Sequence, residues 1–139
     1  MKECDAGRCE LVWDMERIGT AETPGGEILE IGESEAWTPW RLVSLAAQAS
    51  LMMEFLRLAE AAALPVLGYV SSGEAMMGPS ERDSAALVLS PCVVVENQKE
   101  ADRAEKLLEE AMESSPVCRL LRGGTELDAR LVVAMQVPA

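Results

Sequence analysis

Apolar residues are distributed around two predicted helices in different ways, and each distribution predicts a different kind of helix. Over residues 38–64 apolar side chains fall on nearly every face of a helix that begins with Thr38 as N-cap and Pro39 at the first helical position. Over Lys99–Ser114 they fall on one face only, behind the predicted cap Asn97. The first pattern predicts a helix that is buried on all sides, and the second an ordinary amphipathic helix.

Short apolar runs before the long helix predict N-terminal antiparallel strands within residues 9–33. A first strand is expected over residues 9–17 and another over residues 27–31. A polar turn is expected between them over residues 19–26, because Pro24-Gly25-Gly26 is strong turn chemistry.

The C-terminal half, residues 65–139, predicts strands at residues 66–74, 85–96 and 126–135. A loop is expected at residues 78–83, and Pro91 favours a bulge or an edge in the second strand. Ser115-Pro116 begins a short helix after the amphipathic one. The order is strands, long helix, two strands, helix, short helix and strand, which predicts a single α+β domain over residues 1–139.

The length of the first helix predicts a homodimer. At ~1.5 Å per residue it would be roughly 37–40 Å long, whereas a chain of this size has a radius of gyration of about 14 Å. One small sheet cannot cover every face of such a helix, so a second subunit is the simplest cover. A membrane span is not expected, because Glu54, Arg57 and Glu60 interrupt the apolar run.

Composition removes several classes of function. The 139 residues include no histidine, which excludes imidazole nucleophile pairs and histidine metal ligands. The net charge of −12 argues against a nucleic-acid or anionic-membrane partner.

The four cysteines, Cys4, Cys9, Cys92 and Cys118, follow no secretory signal. We therefore expect a cytoplasmic protein with free thiols. The spacing of these cysteines predicts no metal site, and no cofactor is expected.

Two clusters of residues could carry chemistry. Ser50, Glu54 and Arg57 lie within about 60° of each other on the long helix, on the side away from Arg41, Ser44 and Gln48. Glu54 and Arg57 are either an exposed ion pair or part of a polar pocket between subunits, in which Arg57 binds a carboxylate or peroxide oxygen.

The second cluster is Ser115-Pro116-Val117-Cys118. Ser115 is the expected N-cap of the short helix, and the field of that N-terminus makes Cys118 the best candidate for a reactive thiolate. The alternative is that Cys118 is a small buried hydrophobe.

Three segments of the chain match the motifs of a known family. They are Trp37-Thr38-Pro39-Trp40-Arg41-Leu42-Val43 with Ala49-Ser50-Leu51-Met52-Met53, then Leu64-Pro65-Val66 with Gly68-Tyr69-Val70, and Ser114-Ser115-Pro116-Val117. They resemble the OsmC/Ohr family of osmotically induced and organic hydroperoxide resistance proteins, and the likeness extends over roughly residues 27–133. The first segment resembles the family's Ser/Asn-Pro-Glu-x-Leu-Leu opening and the helix that ends in Ala-Ser-Cys, the second the strand that follows, and the third the Cys-Pro-Val segment.

The resemblance implies an intertwined homodimer and a thiol peroxidase, in which one cysteine attacks the hydroperoxide, a second resolves it, and an arginine and a glutamate tune the first. In this chain the attacking position falls on Ser50, the resolving position on Ser115, and the glutamate position on Trp40; Arg17 is a candidate for the arginine. A hydroxyl is no peroxide nucleophile at neutral pH, because its pKa lies far above that of a thiol.

Three hypotheses follow. The leading one is a homodimeric OsmC-like protein with a degenerate peroxidase site that binds a small apolar or anionic molecule at the dimer interface. The second is a thiol-dependent peroxidase that uses a relocated Cys118, with Cys92 or an N-terminal cysteine as its partner. The third is a structural or interaction module, and the sequence leaves open whether the protein is an enzyme.

Overall fold

The computed structural model describes residues 7–76, 86–121 and 124–134, so Cys4 and the predicted loop over residues 78–83 lie outside the described residues. The chain divides into two compact units, Met1–Val43 and Ser44–Ala139, and the boundary falls inside the long helix. The expectation of a single domain stays a prediction.

The first unit contains a three-stranded antiparallel sheet of order β1-β2-β3, formed by β1 (Glu10–Met15), β2 (Ile18–Glu22) and β3 (Ile28–Gly32). The predicted turn over residues 19–26 is therefore wrong in its first half, where β2 lies. The connection from β1 to β2 is a tight turn in which Glu16 has a φ of 51°. Because a glutamate rarely takes this left-handed conformation, the sequence carries no turn signal there.

The long helix α1 (Pro39–Ala61) begins as the sequence predicts. Thr38 Oγ1 accepts a hydrogen bond from Arg41 N at 3.2 Å, which satisfies one of the free N–H groups of the first turn. The helix ends three residues before the predicted Leu64, because Ala63 turns left-handed with a φ of 53° and Leu64 N bonds Ala59 O at 2.8 Å.

Only one side of α1 is buried within the second unit, and the burial of its other sides by a second subunit stays a prediction. This inner face consists of Ser44, Ala47, Leu51, Phe55 and Ala59. On the opposite side, which we call the outer face, Leu45, Met53 and Leu56 are 45%, 65% and 38% exposed. By length and composition alone α1 could cross a membrane, but the buried core helix of a soluble protein meets the same two criteria.

The second unit contains a mixed sheet with β5 (Ala86–Val95) at its centre. On one side β5 pairs antiparallel with β4 (Gly68–Met76), in a register that runs from Gly68–Val94 to Met76–Ala86. On the other side it pairs in parallel with β6 (Thr125–Leu127) and β7 (Arg130–Val133). The single strand predicted over residues 126–135 is thus two short strands.

Pro91 lies inside the central strand, and the predicted bulge or edge there is wrong. Its pairing with Ser71 continues the β4 register without a shift. On the other side β6 reaches only Leu89 and β7 begins at Cys92, so Pro91 lies where β5 changes partner. The missing N–H of proline therefore breaks no bond to either short strand.

Two helices follow β5 as predicted, α2 (Gln98–Ser114) and α3 (Pro116–Leu120). Asn97 Oδ1 caps α2 by accepting a hydrogen bond from Glu100 N at 2.9 Å. Ser115 separates α2 from α3, and its hydroxyl caps α3 through Cys118 N. The mixed α+β architecture, with an N-terminal antiparallel sheet and a long central helix, is confirmed.

Candidate functional site

The inner face of α1 meets β4 through a half-buried polar network centred on Gln48. The side-chain oxygen of Gln48 accepts hydrogen bonds from Gly73 N at 3.1 Å and Ser44 Oγ at 3.0 Å, and its nitrogen donates to Ser71 Oγ at 2.7 Å. A Cβ at Gly73 would lie 2.6 Å from the side-chain oxygen of Gln48 in this orientation, and closer still to Ser44 Oγ. The network therefore holds the helix directly on the strand backbone, and its polar atoms are all engaged.

On another side of α1, Ser50 and Ser115 lie against each other, the two serines to which the sequence resemblance assigns the attacking and resolving positions. Ser50 Oγ is 2.6 Å from Ser115 Oγ, although the two residues are 65 positions apart. Each hydroxyl also accepts a backbone N–H from α3: Val117 N bonds Ser50 Oγ at 3.3 Å, and Cys118 N bonds Ser115 Oγ at 3.4 Å. Ser115 is fully buried and Ser50 is half-buried.

Glu54, one turn after Ser50, is held by two partners. Arg57 donates to both carboxylate oxygens, from Nη2 at 2.6 Å and from Nε at 3.2 Å, and Ser114 Oγ donates at 3.0 Å. The hydrogen bonds from Arg57, followed by that from Ser114, hold the pKa of Glu54 below its usual value of 4.5. The side chain of Glu54 is 15% exposed and that of Arg57 is 63% exposed, so the pair reaches solvent through the guanidinium.

Cys118 lies beneath this site rather than in it. The residue is 5% exposed and its Sγ donates a weak hydrogen bond to Ala47 O at 3.9 Å. These surroundings are those of a small buried hydrophobe.

Tyr69 on β4 adds a buried hydroxyl to the same interior. Its ring lies 5.8 Å from that of Phe55, and its Oη has no hydrogen-bond partner among the described residues. Burial, together with the nearby Cys118, raises the pKa of Tyr69 to about 12. The phenol is therefore neutral at any physiological pH.

The remaining predicted residues lie elsewhere. Arg17 and Trp40 belong to the first unit, where Arg17 Nη1 bonds Glu33 Oε2 at 3.0 Å. Cys92 alternates with buried Pro91 and Val93 along β5, so its side chain is on the sheet face away from α1. Cys9, Cys92 and Cys118 are free thiols, and no three metal-ligating side chains come together in the described part of the chain.

Two residues of this region were not among the predicted site residues. Ser114 donates to Glu54 across 60 residues of sequence, and nothing local marks it apart from its neighbour Ser115. Tyr69 is the only tyrosine of the chain, which was the one available signal of a special position.

Solved structures with this arrangement of strands and helices include OsmC-like proteins. An OsmC-like protein of unknown function from Vibrio cholerae superposes with a TM-score of 0.73 at 17% identity, over 90% of this chain and 97% of that one. An OsmC-like protein from Mycoplasma pneumoniae gives 0.75 at 10% identity, over 92% and 96%. The chain has the OsmC-like fold.

A third neighbour with the OsmC-like fold is described as an organic hydroperoxide resistance protein. It comes from Legionella pneumophila and has a TM-score of 0.67 at 18% identity, over 91% of this chain and 96% of that one. No protein-family model and no curated protein matches the sequence. At these identities the likeness establishes the OsmC-like fold, and the roles of single residues have to be argued from their own contacts.

Proposed function

We propose that this chain is an OsmC-like protein without a two-cysteine hydroperoxide cycle, which binds a small apolar or anionic molecule at a homodimer interface. The observation that carries the proposal is the 2.6 Å separation of Ser50 Oγ and Ser115 Oγ. The two positions that resemble the family's redox cysteines are adjacent in space, as an attacking and a resolving group would need to be, but both carry hydroxyls.

The chemistry of the pair supports a site that keeps its shape and lacks the redox step. Reduction of a hydroperoxide by two thiols gives an alcohol, water and a disulfide, and a pair of hydroxyls has no corresponding two-electron oxidation. No histidine is available to activate either serine. The hydrogen bond between the two hydroxyls instead joins α1 to the start of α3 in any redox environment.

The exposed apolar residues of the outer face of α1 support the dimer. Leu45, Met53 and Leu56 lie on one side of the same helix, and large apolar side chains gathered on one face favour burial against another surface. A second copy would cover this face and would close Ser50, Glu54 and Arg57 into a pocket.

The experiment is a single-turnover assay in which fully reduced protein is mixed with one equivalent of cumene hydroperoxide. We expect no faster loss of peroxide than in buffer and no loss of titratable thiols. The double variant S50C/S115C is the positive control, because it restores a thiol at both positions and is expected to consume about one equivalent of peroxide.

The Cys118 hypothesis predicts the opposite result in the same assay. Under that hypothesis the unmodified protein loses a thiol when peroxide is added, and the loss disappears in Cys118→Ser. Stoichiometric reduction of cumene hydroperoxide by the unmodified protein would overturn the proposed function.

A further inference from the structure

The hydrogen bonds around the serine pair leave one hydroxyl proton without an acceptor. A serine hydroxyl donates one hydrogen bond and accepts two. Ser50 Oγ and Ser115 Oγ each already accept one backbone N–H. Because the two oxygens lie 2.6 Å apart, one hydroxyl donates to the other. Of the two protons only one is used in this way.

Burial decides which hydroxyl donates. Ser115 is 0% exposed, and its hydroxyl has no acceptor other than Ser50 among the described residues. If Ser50 were the donor, Ser115 would keep an unpaired proton in the core, an arrangement that folded proteins avoid. Ser115 is therefore the donor, and Ser50 accepts from both Ser115 Oγ and Val117 N.

This assignment makes the Ser50 hydroxyl a donor only. Both of its acceptor positions are filled, and its own proton finds no acceptor in the described residues. Ser50 is half-buried, so part of the residue can be approached by a molecule outside the chain. A ligand that can satisfy the proton must offer an acceptor atom.

The neighbours of Ser50 on α1 indicate what else the ligand carries. Ala46 and Met53, one turn before and one turn after, are exposed apolar side chains on the same side of the helix. Glu54 is the nearest charge along the helix, and it is already engaged by Arg57 and Ser114. An anionic head group at Ser50 would therefore meet a paired carboxylate rather than a free one.

We propose that Ser50 anchors an apolar molecule through a carboxylate-type acceptor oxygen. We expect the site to bind a molecule with the same apolar tail and an ammonium head group more weakly. The inference rests on the proposed function, because it treats Ser50 as a binding group and not as a nucleophile.

The test compares octanoate with octylammonium, which share a tail and differ in the head group, on the full chain by isothermal titration calorimetry. Octanoate is expected to saturate one site per chain and to bind at least tenfold more tightly than octylammonium. The net charge of −12 favours the ammonium, so the net charge cannot produce this preference. Ser50→Ala is expected to weaken octanoate at least tenfold, as loss of a charge-assisted hydrogen bond does. Ser72→Ala, an equal change at an exposed position of β4, is expected to leave it unchanged.

A second variant tests the direction of the hydrogen bond. With Ser115 as the donor, Ser115→Ala leaves the Ser50 proton as available as before, and octanoate affinity should stay within about threefold. A gain of tenfold would show that Ser115 had been occupying that proton, which overturns the inference.

Two other results would also overturn the inference: equal octanoate affinity in Ser50→Ala and the unmodified protein, or no saturable octanoate binding. Neither result would restore hydroperoxide reduction, so failure of the inference and failure of the proposed function are read from separate assays.

Discussion

The two faces of α1 use similar residue types for different purposes. On the inner face Ser44 and Gln48 are enclosed by β4, and each of their polar atoms is engaged within the unit. On the outer face Leu45, Met53 and Leu56 are exposed, with Met53 65% exposed. The chain itself covers the inner face, whereas the apolar side chains of the outer face are uncovered in the single chain.

This difference explains why apolar residues occur all round α1 without all being buried. A helix that packs only against the sheet of its own chain is expected to be polar on the opposite side. The helix α2 has this pattern, with Glu105, Glu109 and Glu113 exposed. Leu45 and Leu56 occupy the corresponding side of α1. Substitutions on each face of α1 can be tested separately, for stability on the inner face and for association on the outer face.

The largest effect is expected from Gly73→Ala on the inner face. The new Cβ would overlap Ser44 Oγ and the Gln48 amide, so the helix must move off β4 or the polar network must open. We expect a loss of about 3 kcal/mol in the free energy of unfolding, measured by urea denaturation.

Gly68→Ala is the matched control for this change. It lies on the same strand, but its Cβ would meet Val94 Cγ2 at 3.4 Å, which is close to an ordinary contact. Equal destabilisation by the two substitutions would show that any side chain added at a glycine of β4 causes the loss, and that contact with the helix does not.

The next effect concerns the outer face and the proposed dimer. Met53→Glu places a charge in the middle of this face, and we expect the dissociation constant to rise at least tenfold, since burial of a methionine side chain contributes about 1.5–3 kcal/mol. Sedimentation equilibrium measures the constant directly.

Val70→Glu on β4 is the control, because Val70 is 72% exposed and alternates with the residues that face α1. It should leave the dissociation constant unchanged. A monomeric unmodified protein at micromolar concentration would contradict the account of the outer face.

Local sequence patterns predicted most of the fold because they act through neighbours in the chain. Thr38 and Asn97 cap helices with their own hydroxyl or amide, so each helix start could be read from a few residues. Pro91 was misjudged because its effect depends on where β6 ends and β7 begins, which is set by residues more than 30 positions later.

The candidate site shows the same limit. Helix periodicity placed Ser50, Glu54 and Arg57 on one side of α1, and the resemblance placed Ser50 and Ser115 at related positions. Periodicity could not show that Ser114 joins Glu54, since that contact depends on how α2 ends beside α1. Nor could it show which serine is the more buried, and that fact decides the direction of the hydrogen bond.

The smallest effect is expected from the Glu54–Arg57 pair, through the pH dependence of stability. The folded-state pKa of Glu54 lies below the ordinary 4.5, so the contribution of the carboxylate is complete above pH 4.5 and is lost as the pH falls through the folded-state pKa. Glu54→Gln removes the charge but can still bond Ser114. The unmodified protein should therefore be more stable than Glu54→Gln in urea at pH 7, and the difference should shrink as the pH falls below 4.5. Glu109→Gln, at an exposed position of α2, is the control for the loss of a carboxylate and should leave the stability at pH 7 unchanged. A difference between the unmodified protein and Glu54→Gln that persists undiminished at pH 3 would mean that shape, and not charge, makes Glu54 contribute to stability.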